Sequence, residues 1–324
     1  MKWTISHQSA LEFWRKTNAK ESLAGKKLRS FNPTTKPFDA KELKHESLRN
    51  VTEPIHVLVG SGNARKVRRD LQCHVSPGKF PDGSFVQIAS GLIISSPELC
   101  FLQMAGILSL VDLVALGFEF YGSYRLDKDS AEDKGFRGDL PLTNVANLQT
   151  YATKTVGLKG RKKALRALNF ITEGSASPME TILTMLLTLP YRYGGYGFNK
   201  PLLNCRINVP TSAGQSRIKS NKSNYYCDLF WPVEQVAAEY DSDAFHTGSD
   251  RILKDAIRRN TLASIGVTVV TVSRRQIVEA GGLRDFAEIL SKLLGKRFKY
   301  SKKDFFSCQN KLRLQLLPRV SNRY

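Results

Sequence analysis

The chain has 324 residues, 41% hydrophobic and 10% aromatic, which excludes a wholly disordered chain and leaves room for two hydrophobic cores. Its 49 Lys and Arg against 29 Asp and Glu give a formal charge of +20, pointing to a polyanionic partner: nucleic-acid phosphates or an anionic membrane surface. No run of about 20 apolar residues offers a membrane span, residues 1–16 lack the apolar region of a signal peptide, and five scattered cysteines without a CxxC pair support neither a disulfide framework nor a zinc ribbon, so a reducing cytoplasm is the expected location.

Taken in order, Ala10–Trp14 forms a short apolar stretch, expected to be a helix that leads into a Lys-rich loop. Pro54–Val59 reads as a strand closed by Gly60-Ser-Gly62, and Gly91–Ile94 as a second. Between them lies a basic run of Arg65, Lys66, Arg68 and Arg69. Ser96-Pro97-Glu98 has the form of a helix start, and the apolar residues from Leu99 to Phe120 recur at helical spacing, predicting a buried helix or helical pair. Residues 126–150 are polar and without period, and helical character returns over 151–172 around Lys159-Gly-Arg-Lys-Lys163 and Arg166. A new helix runs from Met179 to Leu189, ended by Pro190, followed by strands and turns from Tyr191 to Tyr240. A helix (249–265), a strand (267–272) and a final helix (280–294) complete the pattern. The expected organisation is α/β: a smaller N-terminal α+β domain over 1–125, a basic helical connection over 126–173 and a second domain over 174–324.

Chemistry is concentrated between Glu180 and Arg275. Tyr225–Trp231 and Val236–Asp241 read as a strand pair joined through Pro232. Side chains alternate along a strand, so Glu239 and Asp241 share a face, which Asp228 reaches if the register allows. Each acid taken singly reads as a turn, strand-end or solvated residue. The apolar run Val236-Ala-Ala238 before them argues against a solvated face. Carboxylates crowded together raise one another's pKa and cost stability unless a cation neutralises them. Mg²⁺ (or Mn²⁺) would do so, and would activate water against a phosphate. Glu180, in the first turn of its helix, suits the helix dipole and is a further candidate.

The order Glu180, Asp228, Glu239-Tyr-Asp241 and His246, then Ser249-Asp250-Arg251, Arg258, Leu262, Gly266 and the strand Val267–Val272, resembles the Vsr-like branch of the PD-(D/E)XK nuclease superfamily over roughly residues 174–295. The resemblance implies a restriction-endonuclease-like core, a mixed central sheet flanked by helices. It also implies Asp228 and Glu239 as metal ligands, Asp241 where the superfamily usually has lysine, His246 as proton acceptor for the attacking water, and Glu180 as the auxiliary helix acid. In the N-terminal half, His56-Val-Leu-Val59, the basic segment, His74, Gly91–Glu98 and the apolar helix after it resemble the AbiEi antitoxins over residues 50–125. That implies a regulatory or phage-defence setting with a cognate toxin or antitoxin as partner.

Arg65, Lys66, Arg68 and Arg69 form one expected DNA contact. Lys254 and Arg258, four apart on one helix face, form another. Lys296–Lys303, with Phe298 and Tyr300 interleaved, suits phosphate contact with base stacking. Neither a Walker loop nor an RNP1 motif is visible. The expectation is a metal-dependent DNA endonuclease. The alternative is a catalytically inactive DNA-binding regulator, and an RNase is the third, weaker reading. A homodimer would suit double-strand cutting, though no residue indicates one.

Overall fold

The computed structural model describes residues 3–18, 25–36, 46–49, 51–127, 135–209, 224–241, 249–298 and 302–317. The chain divides into two compact units, Met1–Ile171 and Thr172–Tyr324. The mixed α/β class expected from the sequence is observed.

The first unit runs β1 (Trp3–Ile5), α1 (His7–Lys16), β2 (Lys26–Lys27), β3 (Ile55–Val59), β4 (Val67–Arg68), β5 (Leu71–Val75), β6 (Phe85–Ala89), β7 (Leu92–Ser95), α2 (Pro97–Ala105), α3 (Leu110–Tyr121), β8 (Tyr124–Leu126), β9 (Phe136–Gly138), α4 (Val145–Lys154) and α5 (Arg161–Leu168). Seven strands form one sheet in the order β2-β6-β7-β1-β3-β5-β4, with β1–β7 and β3–β5 parallel. Ser96 caps α2, its Oγ accepting from Leu99 N at 3.3 Å, with Pro97 at the first helical position. Every residue of α2 is buried, because α1, α3, α4 and α5 all pack on it. A helix buried on every side belongs inside a domain. Gly160 (φ 91°) makes the packing of α5 against α2 feasible, since a Cβ there would lie 2.5 Å from Leu102 O.

Residues 126–171, expected to lie mostly in a connection, belong to this first unit. Arg137 and Asp139 within them, with Arg15, Glu119 and Arg125 nearby, form a paired network. Arg15 Nε and Nη2 donate to Glu119 Oε1 and Oε2 at 2.8 and 2.7 Å, and Leu126 N donates to Glu119 Oε1 at 3.1 Å. Arg137 ties the β8–β9 hairpin to the end of α1 through the carbonyls of Arg15 (2.9 Å) and Thr17 (3.0 Å), and pairs with Asp139 at 3.0 Å. The fully buried Arg125 donates to the carbonyls of Glu119, Tyr124 and Leu140.

The second unit runs α6 (Pro178–Thr188), β10 (Leu202–Asn208), β11 (Asn224–Trp231), β12 (Val236–Asp241), α7 (Ser249–Ser264), β13 (Thr268–Ser273), α8 (Arg274–Val278), α9 (Ala280–Leu293) and α10 (Lys302–Leu316). Its sheet has the order β10-β11-β12-β13. The first three strands form an antiparallel meander, and α7 is the crossover that brings β13 parallel to β12. Phe230 and Ala237 pack on one face with Leu262 of α7 and Val267. Leu229, Trp231 and Ala238, on the alternate face, are also buried, and α6 packs on β11 and β12. Both faces are covered, as in the mixed sheet flanked by helices that the sequence led one to expect.

Helix α10 was not expected, since the Lys-rich sequence hides its inward face. Phe305, Leu312 and Leu316 are buried, and Phe305 meets Tyr191 and Tyr196 edge-on. In the basic–aromatic run before it, Lys296 and Phe298 have partners within the fold. Lys296 Nζ donates to Gly197 O, and Phe298 packs on Tyr196 and Phe198 at 5.4 and 5.7 Å between centroids. Both side chains are thus engaged, while Phe298 and Lys296 stay half-buried and Arg297 is exposed. Tyr300 lies outside the described residues. Among the described residues, no helix is long and apolar enough to cross a membrane.

Candidate functional site

The site is built where α6 begins against the centre of the second sheet. Ser177 caps α6 by accepting from Glu180 N at 3.2 Å, and Glu180 reaches back to accept from Ala176 N at 2.9 Å. This is close to a capping box, in which a helix-start acid satisfies a backbone donor. The same Oε2 accepts from Asn204 Nδ2 at 2.7 Å, and Asn204 Nδ2 also donates to Gly174 O at 2.8 Å. Asn204 sits on β10 at φ 46°, between the register pairs Leu203↔Leu229 and Cys205↔Cys227. That places it across from Asp228 at a local kink in the strand pair.

Asp228 Oδ2 accepts from Tyr240 N at 2.8 Å. Burial pushes its carboxyl above the usual range, against the lowering influence of the Tyr240 N–H and the Arg258 guanidinium. Burial likewise raises Glu180, whose hydrogen bonds oppose the shift and whose neighbour Asp228 adds to it. These two acids therefore feel each other, as expected of crowded carboxylates. Glu239 is held by a different partner: Arg258 Nη2 lies 2.5 Å from its Oε1 and also donates to Tyr226 O. Burial, reinforced by Glu239, pushes the Cys227 thiol beside this pair up to about 12. By strand alternation Asp241 shares the face of Glu239, and it stands opposite Ser273 in the register.

The structure thus brings Glu180 to Asp228, and Asp228 and Glu239 to Arg258. The three acids are not gathered around one point. Each accepts from protein donors, and among the described residues no three His, Cys, Asp or Glu side chains are placed to hold a metal ion. In this arrangement Asn204, Tyr240 N and Arg258 hold the acid oxygens that a Mg²⁺ or Mn²⁺ would take. His246 lies outside the described residues, as does the side chain of Lys254, whose backbone is in α7. In the first unit, Arg65, Arg68 and Arg69 are exposed and Lys66 half-buried around the edge strand β4. Arg68 is engaged by Asp70 at 2.6 and 2.8 Å.

Sequence reasoning missed Asn204 and Cys227, and did not foresee the pairing of Arg258 with Glu239. An Asn amid alternating apolar residues is the one signal available for Asn204, since Asn tolerates the left-handed region. Asn204→Ala removes two side-chain bonds and leaves a β-carbon residue at positive φ. It should cost about 2 kcal/mol of second-unit stability in urea unfolding, with Asn204→Gly costing less than Asn204→Ala. Equal stability of wild type and Asn204→Ala would show that Glu180 is positioned without it.

No protein-family model, curated protein or solved structure matches the chain.

Proposed function

We propose that the second unit is a DNA endonuclease of the PD-(D/E)XK type, Vsr-like in its motif order, hydrolysing phosphodiester bonds in a phage-defence or toxin–antitoxin setting. The observation that supports this reading best is the pair of acids formed by the buried Glu180 and the half-buried Asp228. Each is raised by burial, they sit within electrostatic reach of each other, and Glu239 lies next in register across the same strand pair. Carboxyls displaced upward exchange protons closer to neutral pH, which is what activation of water and protonation of a leaving oxygen require. Arg258, a planar donor suited to phosphate, is the cation of this group. The carboxylate chemistry suits a divalent cation, but no step is assigned to one here, because the acids as placed are engaged by Tyr240 N, Arg258 and Asn204.

That engagement favours a second reading, a DNA-binding regulator in which the acids serve structure alone. Incubating the purified chain with supercoiled plasmid in Mg²⁺, Mn²⁺ or EDTA, beside Glu239→Ala, separates the two. Metal-dependent nicking or linearisation lost in the variant is expected. Retardation of DNA without cleavage in any metal would overturn the nuclease reading in favour of the regulator.

A further inference from the structure

Outside that site, the first unit brings together three of the chain's five histidines. His7 opens α1, His56 lies on β3 and His74 on β5. In the parallel register His56 stands opposite Gln72 and His74 opposite Leu58, so both imidazoles project from one face, two residues apart. His74 Nε2 is 3.0 Å from His56 Nδ1. The rings of His7 and His74 stack with centroids 3.5 Å apart and planes 15° from parallel. All three keep partial exposure.

His7 is held in place under strain. Its φ is 49°, a region that costs a residue with a β-carbon about 1–2 kcal/mol. Helix α2 enforces it from both sides: His7 N donates to Gln103 Oε1 at 3.0 Å, and Cys100 Sγ donates to His7 O at 3.7 Å. Such strain concentrates where a side chain must be aimed at something.

A metal is a poor occupant. Stacked, nearly parallel rings direct their nitrogen lone pairs side by side and not to one point, and among the described residues no donor group fits a metal ion. The cluster is instead rich in donors. Lys159 is near enough to disfavour protons on His7 and His74. The buried Gln103 Nε2 has no hydrogen-bond partner. Glu12, the acid whose charge reaches His56, already accepts from Gln8 Nε2 at 3.0 Å and Thr52 N at 2.7 Å.

We propose that His7, His56 and His74, with Lys159 and the Gln103 amide, form a binding site for a phosphate-type oxyanion, free phosphate or a phosphate monoester. When proton uptake replaces the His56–His74 bond, imidazolium groups and an ammonium make short, charge-assisted hydrogen bonds to such oxygens. The anion adds negative charge beside His7 and His74, where only cations and burial now act. Without it, burial first and then the neighbouring cations hold His7 down to about 2 and His74 to about 4, and burial lowers His56 against the pull of Glu12. An anion raises these values, so binding takes up protons and tightens as pH falls from neutrality.

The test is a histidine-ring NMR titration of the full chain with inorganic phosphate, with a nucleoside 5′-monophosphate, and with chloride at matched ionic strength. His→Gln variants assign the signals. Saturable movement of the His7, His56 and His74 signals with phosphate and not with chloride is expected, weakening several-fold between about pH 6.5 and pH 8. The exposed Lys159, replaced by Met, should weaken binding about tenfold without unfolding the unit. Tighter binding of the monophosphate than of phosphate would assign the site to esters, and equal binding to the free ion. No saturable movement with either, the same movement with chloride, or unchanged affinity in Lys159→Met would overturn the proposal.

Discussion

Replacing Glu119 by Ala is expected to destabilise the first unit by about 3–5 kcal/mol, the range for removing one partner of a buried ion pair. The Glu119 side chain is 2% exposed, accepts both guanidinium bonds of Arg15 and satisfies Leu126 N. Its removal leaves a cation and a backbone donor without their acceptor. Glu119→Gln keeps an acceptor and should cost less. Arg15→Met with Glu119→Leu removes both charges, so it should recover much of the loss, short of the orphaned Leu126 N–H. Trp3 and Trp14 lie in the first unit and Trp231 in the second, so fluorescence mixes the two. Hydrogen exchange along β8, followed through a urea series, isolates the transition of interest. A loss below about 1 kcal/mol in Glu119→Ala would mean that water replaces the carboxylate and that the pair is a surface feature in energetic terms.

A second large effect is expected with pH. His7 and His74 titrate at about 2 and about 4 in the folded unit, against 6.5 when unfolded. Between those values the unfolded chain binds more protons than the folded one. The stability this contributes is complete above about pH 6.5 and is lost as pH falls through the window toward 4. Each full unit of depression corresponds to about 1.4 kcal/mol. Partial exposure and coupling between the rings reduce the sum, leaving about 2–4 kcal/mol lost by about pH 4. Glu12 opposes part of this through His56, while Lys159 reinforces it at the other two rings. In buffer without phosphate, the urea midpoint of the first unit should fall steeply between about pH 7 and pH 5. His7→Asn combined with His74→Gln should flatten that profile, since Asn tolerates the left-handed conformation. An unchanged slope in the double variant would place the acid sensitivity in other groups.

Much of the scaffold could be read from residue order. The strand pair bearing Asp228 and Glu239, the Ser-capped α2 and the crossover α7 each have a local signal: alternation, a cap, or an apolar period. What could not be read is who partners whom. Arg258 reads as a phosphate contact, and its intramolecular partner leaves no signal in the sequence. In the fold, α7 carries it to Glu239, nineteen positions away. The acids were expected to crowd one another, and Glu180 and Asp228 do. Yet the Tyr240 N–H, the Arg258 guanidinium and the Asn204 amide divide the acids among themselves, through contacts that depend on register. Arg137 and Asp139 read as part of a connection, because charged residues paired with each other look in sequence like charged residues in water. The histidine cluster gathers positions 7, 56 and 74, which only the strand order places side by side.

Helix α2 has a consequence for how the first unit is assembled. With every residue buried, it presents no stripe that water could cover while its neighbours are still missing. The helices packed on it come from residues as far apart as His7 and Leu168. Its formation and the closing of that long loop are thus a single event. The first unit should cross its barrier late and all at once, with few populated intermediates and at a rate set by chain topology more than by helix propensity.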